Sequence, residues 1–425
     1  MPNGPCQFIQ DEINDIEVEI ESLQTALNDP DVPPSAKPGI RRRIVKLGRE
    51  EASLQLELEA CEADPSQYFL QLDAIEVTQA IQDLNHSVSL IAGKKTVVRA
   101  YLSYYSSPGV TVRGEITVSQ SGSSVTIPSV NVVTLDPALN GNLNAKRNNA
   151  ALSLNFLLPD AQTAQGHLNV SLTRVTNVAS GVAISIARAS TLNVQFQAAT
   201  TLRVRILGMR YSQGTPPTTY VPTPLDFGLL VSWLRRAYPV ANVSSSQAII
   251  DATATVPFGC GDINAQLAAI RALDMSSGGD HRTHYYGLVS DGGFFMQGCA
   301  AGIPSTPDPS TVASGPTGPG TWGWDVDGSY GDWYGGHELG HTFGRLHPGF
   351  CRGESKDDPA YPFADGQLAN ADDAFVGFDV GDTASSLPMA ALLSRPVKTK
   401  RFGCGTWPPE RKNARSSDTR IGFPA

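Results

Sequence analysis

The stretch GGHELGHTFGRLHPGFC, residues 335–351, holds three of the chain's seven histidines. His337 and His341 stand four residues apart. On an α-helix that spacing leaves them about 40° apart on one face and one turn apart along the axis, so both imidazoles can reach one ion. Glu338 is rotated about 100° from His337. Its carboxylate therefore lies beside the ion rather than on it, where it can take a proton from water. Gly344 can adopt the positive φ that ends a helix, and Pro348 prevents the helix from resuming. Between them His347 can swing toward the same ion. Three neutral imidazoles with an open fourth position describe a catalytic zinc site, with Glu338 as general base. A bare HExxH arises readily by chance. HExxHxxGxxH fixes five positions, with a helix-compatible first half and a helix-ending second half.

These side chains need a frame, and the sequence from about 201 to 393 offers one. TLRVRILGMRY reads as a strand. TPLDFGLLVSWLRRAY reads as a helix with Thr223 as N-cap and Pro224 at its first position. In DINAQLAAIRAL, Asp262 is the expected cap, and Ile263, Leu267 and Ile270 line one face. HYYGLVSD (284–291) reads as a strand, and the Gly/Pro/Ser/Thr-rich stretch 301–332 as a long loop that forms a wall of a cleft.

HELGHTFGRLH resembles the extended zinc signature of metzincin metalloproteases, matched at His337, Glu338, His341, Gly344 and His347. The resemblance covers roughly 201–390, residues that read as strand, helix, helix, strand and motif helix in that order. It implies an endopeptidase acting on a protein or peptide substrate, built as an α+β domain with the motif helix beneath the cleft. It also implies an edge strand that pairs with extended substrate, for which YYGLVSD or its neighbour is the candidate. A Met-turn is expected after the third histidine. Met389, in SSLPMAALLSRP, is the only methionine after the motif. It lacks the tyrosine expected two residues later, and an ordinary core methionine is the alternative. An extracellular or cell-surface location follows from the resemblance. No signal peptide is visible in MPNGPCQFIQDEINDIEVEI, which leaves a cytoplasmic location open.

Upstream, residues 7–62 read as a helical hairpin. Ile9, Ile13, Ile16, Ile20, Leu23 and Leu27 keep a coiled-coil period. DPDVPPSAKPG breaks it, and Ile40, Ile44, Leu47, Leu54 and Leu58 resume it. Folding back antiparallel brings Cys6 near Cys61, and the seam offers a route to self-association. Residues 68–200 change to a period of two, as in Val110, Val112, Ile116 and Val118, and suggest an all-β immunoglobulin-like sandwich. IEVTQAIQ and LIAGKKTVVRAYL resemble the opening of Ig-like modules that accompany bacterial extracellular enzymes. His86 and His167 fall in this region, and His167 reads as a surface or turn residue. The fold expectation is thus multi-domain: helical hairpin, Ig-like sandwich and zinc peptidase domain.

Length and composition bound the rest. At 425 residues and 41% hydrophobic content, the chain has room for two or three cores. A net charge of −9 without a basic stripe in the folded-looking part excludes a general nucleic-acid binder. No apolar run is long enough for a transmembrane segment. Six cysteines without a CxxC pair leave three bridges open. Cys260 with Cys299 and Cys351 with Cys404 are the pairings that would staple the cleft, although connectivity does not follow from sequence. Asp325, Asp327 and Asp332 in DVDGSYGD offer carboxylates for Ca2+ but lack the distal Glu of an EF-hand. Arg395 to Ala425 carries eight basic and two acidic residues with no helix or strand period. Residues 394–425 therefore read either as a basic tail that binds something acidic, or as a frameshifted replacement of the domain's natural end. The second reading supports an alternative function, a catalytically inactive binding or adhesion protein whose active-site wall is missing.

Overall fold

The computed structural model describes residues 4–295, 297–319, 327–347, 358 and 375–392. Cys351, Cys404, Asp325 and the 394–425 segment lie outside these residues. Six α-helices occur among the described residues: α1 Pro5–Asn28, α2 Lys37–Ala63, α3 Leu143–Arg147, α4 Pro224–Ala237, α5 Cys260–Ser276 and α6 Gly331–Thr342. The first strands are β1 Leu70–Thr78, β2 Ile81–Gln82, β3 Leu90–Ile91, β4 Val97–Tyr104, β5 Val110–Gln120, β6 Ser123–Pro128 and β7 Val133–Leu135. Next come β8 Leu154–Leu157, β9 Gly166–Asn177, β10 Ala183–Ile184, β11 Thr191–Gln197, β12 Leu202–Gln213 and β13 Thr218–Tyr220. The last are β14 Val243–Asp251, β15 Thr283–Ser290, β16 Cys299–Ala300, β17 Ala313–Thr317, β18 Val376–Asp379 and β19 Ala390–Leu392. Helices and several sheets together make an α+β chain, and it divides into two compact units.

The first unit comprises the chain up to Ile75 with Arg99–Phe156 and Asn169–Asn193. In it α1 and α2 pack through Ile9 and Ile13, with Leu54 and Leu58 against them, and a disulfide joins Cys6 to Cys61. Arg188 grips both helices, donating to Glu12 on α1 at 2.7 and 3.1 Å and to Glu57 on α2 at 2.8 Å. In β5 the apolar alternation becomes alternating burial. This strand pairs antiparallel with β6, β7 and β9.

The second unit comprises Glu76–Val98, Leu157–Leu168 and the chain from Val194. Its sheet is built on β12, which pairs in parallel with β14 and with β15. β17 lies parallel beyond β15, and the two-residue β16 runs antiparallel at the edge. Parallel strands are covered on both faces. Leu230, Trp233 and Leu339, from α4 and α6, pack with Val204, Ile206, Tyr286 and Leu288. Ile263 and Leu267 of α5 pack with Leu207, Met209, Tyr285 and Val289. Neighbouring Tyr285 and Tyr286 join opposite clusters because side chains alternate along a strand.

Three expectations need correction here. YYGLVSD is interior, flanked by β12 and β17; β16 lies at one edge of the sheet and β14 at the other. The stretch 301–332 is not one long loop, since it contains the fully buried strand β17. Gly and Pro disguised it, yet Gly315 is needed there, because its missing side chain admits the Tyr286 hydroxyl. Finally, α5 begins before Asp262, which acts from the third helical position by accepting from the Gly259 N–H at 2.9 Å.

Segment 76–98 clamps the end of α4. Buried Lys94 donates to the carbonyls of Arg235 and Arg236 at 2.5 and 2.9 Å, satisfying acceptors that a helix C-terminus leaves open. Burial drops the amine's pKa to about 7. β2 pairs with β18, Lys95 donates to the Gly381 carbonyl, and Arg236 forms an ion pair with Asp379.

Candidate metal centre

α6 carries the motif, and glycines let it sit deep. A methyl group at Gly335 would overlap Leu230, and one at Gly336 would overlap the indole of Trp233, both on α4. The amino end of α6 is tied down by a buried carboxylate. Asp226 accepts from Thr317 and Ser329 at 2.6 Å each, while its other oxygen accepts from Thr223 N at 2.6 Å and Thr223 Oγ1 at 2.8 Å. Thr223 is the N-cap of a capping box that starts α4 at Pro224, so one side chain fixes two helix starts. The carboxyl end of α6 closes on Gly344, φ +79°. Its N–H donates to the His341 carbonyl at 2.9 Å and the Arg345 N–H to the Gly340 carbonyl at 3.1 Å. These bonds reverse the chain and deliver His347.

The turn brings three imidazoles together. His337 Nε2 lies 3.2 Å from His341 Nε2 and 3.3 Å from His347 Nε2. His341 Nδ1 lies 2.7 Å from the Arg345 carbonyl, which can only accept. The proton therefore sits on Nδ1, and Nε2 presents a lone pair to the cluster. A tetrahedral ion with metal–nitrogen distances of about 2.0–2.1 Å has ligand nitrogens about 3.3–3.4 Å apart. The observed spacing fits that geometry, whereas converging lone pairs without a cation repel. Among the described residues this is the one group of three or more His, Cys, Asp or Glu side chains close enough to share an ion.

Glu338 is buried beside the triad. A Cβ built on Gly298 would lie 2.8 Å from Glu338 Oε1, so the chain entering β16 crosses directly over the carboxylate. Tyr334, one helical turn before Glu338, and Tyr286, on β15, both have phenols held well above their ordinary range, by burial first and by the Glu338 charge second. Behind the triad, buried His284 supports the last turn of α6. Thr342 donates to the Leu339 carbonyl at 2.8 Å, so its oxygen accepts from His284 Nδ1–H at 2.9 Å. The ring stacks on Phe343 at 4.4 Å, and burial lowers its pKa to about 4, keeping it neutral.

The remaining candidates separate. Met389 sits where β19 begins, its backbone N against Gly381 on the turn from β18. Asp327 accepts from the Ser329 N–H at 3.2 Å and Asp332 is buried in α6, and among the described residues, which do not include Asp325, neither joins a group of potential ligands for Ca2+. Cys260 and Cys299 are disulfide-bonded, which pins α5 to the edge strand beside Glu338. His86 accepts from the Val77 N–H at 3.0 Å, and His167 lies exposed on β9. Sequence reasoning missed His284 and the packing glycines Gly298, Gly335 and Gly336. The doublet before His337 was the one visible signal for a close helix approach.

No helix among the described residues is long and apolar enough to cross a membrane. No family model matches the sequence, and no curated protein matches it. One solved structure, a calcium-binding mutant of Bacteroides uniformis beta-glucuronidase 2, aligns at 9% identity over 52% of this chain and 29% of that chain. Its TM-score of 0.19 is too low to bear on fold or function.

Proposed function

We propose that the chain is a zinc-dependent endopeptidase of metzincin type, with an α1–α2 helical hairpin and an Ig-like sandwich preceding the catalytic region. The observation that carries the reading is the convergence of three Nε2 atoms at ligand spacing with Glu338 on the same helix. His337, His341 and His347 would hold the ion, which when bound supplies Lewis acidity toward a peptide carbonyl and an acidified water. Glu338 accepts the proton of the attacking water and returns it to the leaving nitrogen. Its burial keeps that proton from bulk solvent. An extended substrate pairs with the edge at β16 by strand addition and so passes Glu338 beneath Gly298. The two disulfides among the described residues support an oxidising, extracytoplasmic setting.

Cleavage of a labelled unfolded protein such as casein by the zinc-loaded chain tests the reading, with metal content measured alongside. Glu338→Ala should keep its metal and lose roughly 10²- to 10⁴-fold in rate. Absence of cleavage by the native chain would favour the non-catalytic binding protein instead.

A further inference from the structure

We infer that the chain self-associates as a two-fold symmetric dimer, in which the outward face of α2 packs antiparallel on the same face of a second copy. The inward side of α2 is engaged within the hairpin. Leu47 is buried, Leu54 and Leu58 pack with Ile9 and Ile13, and Arg43 donates to Glu19 on α1 at 2.9 and 3.1 Å. At about 100° per residue, Val45, Ala52 and Leu56 fall within about 40° of one another on the opposite side of the helix. All three are exposed, Val45 at 56% and Leu56 at 69%. Arg42, Arg49 and Glu59 flank them and are exposed too. The helix therefore carries a second, narrow apolar stripe that the hairpin leaves open.

Scattered apolar side chains are ordinary on a surface; charge identifies the occupant here. Residues 37–49 of α2 hold six basic side chains and no acidic one, whereas residues 50–63 hold five acidic and no basic one. This polarity opposes the helix macrodipole, which favours acids at the amino end and bases at the carboxyl end, so it does not serve α2 alone. α1 answers part of it, through Glu19 on Arg43. Arg42 and Glu59 lie on the other side of the helix, and neither has an opposite charge three or four positions away. A helix patterned in this way is complementary to its own reverse. With the two-fold axis level with the Glu50–Glu51 bond, Val45 meets Leu56 of the second copy and Arg42 meets its Glu59. Arg49 lies over Ala52 of the second copy, whose small side chain leaves the arginine stem room to reach solvent. Every contact occurs twice, as an isologous interface requires. One register thus satisfies both the apolar stripe and the charged ends. A single helix per copy places the interface at the small end of the range, so the dimer is a weak, reversible one.

Sedimentation velocity of the full chain over about 1–200 µM tests the pairing. Expected is a concentration-dependent rise from 45.2 kDa toward twice that mass, weakened by added salt. Arg42→Glu and Glu59→Arg should each weaken association about tenfold, because each sets like charges opposite one another twice. Both reversals suit the α2 dipole, so neither unfolds the helix. An equimolar mixture of the two variants should associate again, since their heterodimer has opposite charges at both positions. The double variant, R42E with E59R, should dimerise as the native chain does. A native chain that stays at 45.2 kDa throughout overturns the inference. So do single reversals that leave association unchanged, or a mixture that associates no better than either variant alone.

Discussion

Replacing Gly344 by alanine should loosen the metal site without touching a ligand. Gly344 holds φ +79°, and an added Cβ would stand 2.6 Å from the Pro304 carbonyl oxygen, where ordinary contact begins near 3.4 Å. The left-handed backbone costs an alanine about 1–2 kcal/mol. Forcing the carbonyl back by about 0.8 Å is an overpacking change of the kind that costs about 1–3 kcal/mol. Together these give about 2–5 kcal/mol, released if the turn opens and His347 withdraws. The lower bound of about 2 kcal/mol corresponds to about 30-fold weaker zinc binding. Competition with a chromogenic chelator measures this directly. Gly344→Asn separates the two contributions, because asparagine tolerates the left-handed region yet carries the same Cβ. Affinity should fall in the order Gly, Asn, Ala. Zinc affinity of the alanine variant within threefold of native, or an asparagine variant weaker than alanine, would refute the reasoning.

Two further outcomes concern stability. Buried His284 has a folded pKa of about 4 against an ordinary 6.5, so below 6.5 the unfolded chain binds the extra proton. Its contribution is full above pH 6.5 and is lost as pH falls toward 4, a gap of about 3 kcal/mol. Urea unfolding of metal-free protein at pH 7.5, 5 and 4 should show this loss in the native chain and a smaller one in His284→Phe; equal pH dependence would count against it. Arg188→Ala removes the cation shared by Glu12 and Glu57 in a half-buried setting and should cost about 2 kcal/mol. Arg188→Gly should lose about 1 kcal/mol less, since Arg188 also sits at φ +58°. Equal unfolding free energies for native and alanine forms would show that the ion pairs contribute nothing.

Local chemistry was legible wherever the residues involved are close in sequence. The i, i+4 histidines, the left-handed Gly344 and the Thr223–Pro224 helix start all follow from backbone geometry within a single turn. The burial of Ile9 and Ile13 on α1 and the alternation of β5 follow from periodicity, which registers one-sided burial. β17 was not legible, because ASGPT carries no strand propensity and is a strand only where Gly315 makes room for Tyr286.

The sequence by itself determined which residues can share an ion and where the motif helix must end, because ligand spacing and a glycine turn are properties of a few consecutive residues. Only the tertiary structure decided what surrounds them: His284 behind Thr342, Gly298 over Glu338, Lys94 on the end of α4, and β16 at one edge of the sheet. The residues joined lie from 13 positions apart, at Ala300 and Ala313, to 142 apart, at Lys94 and Arg236. Such partners are selected by packing shape and by the need to satisfy buried polar groups, and neither leaves a periodic trace in the chain.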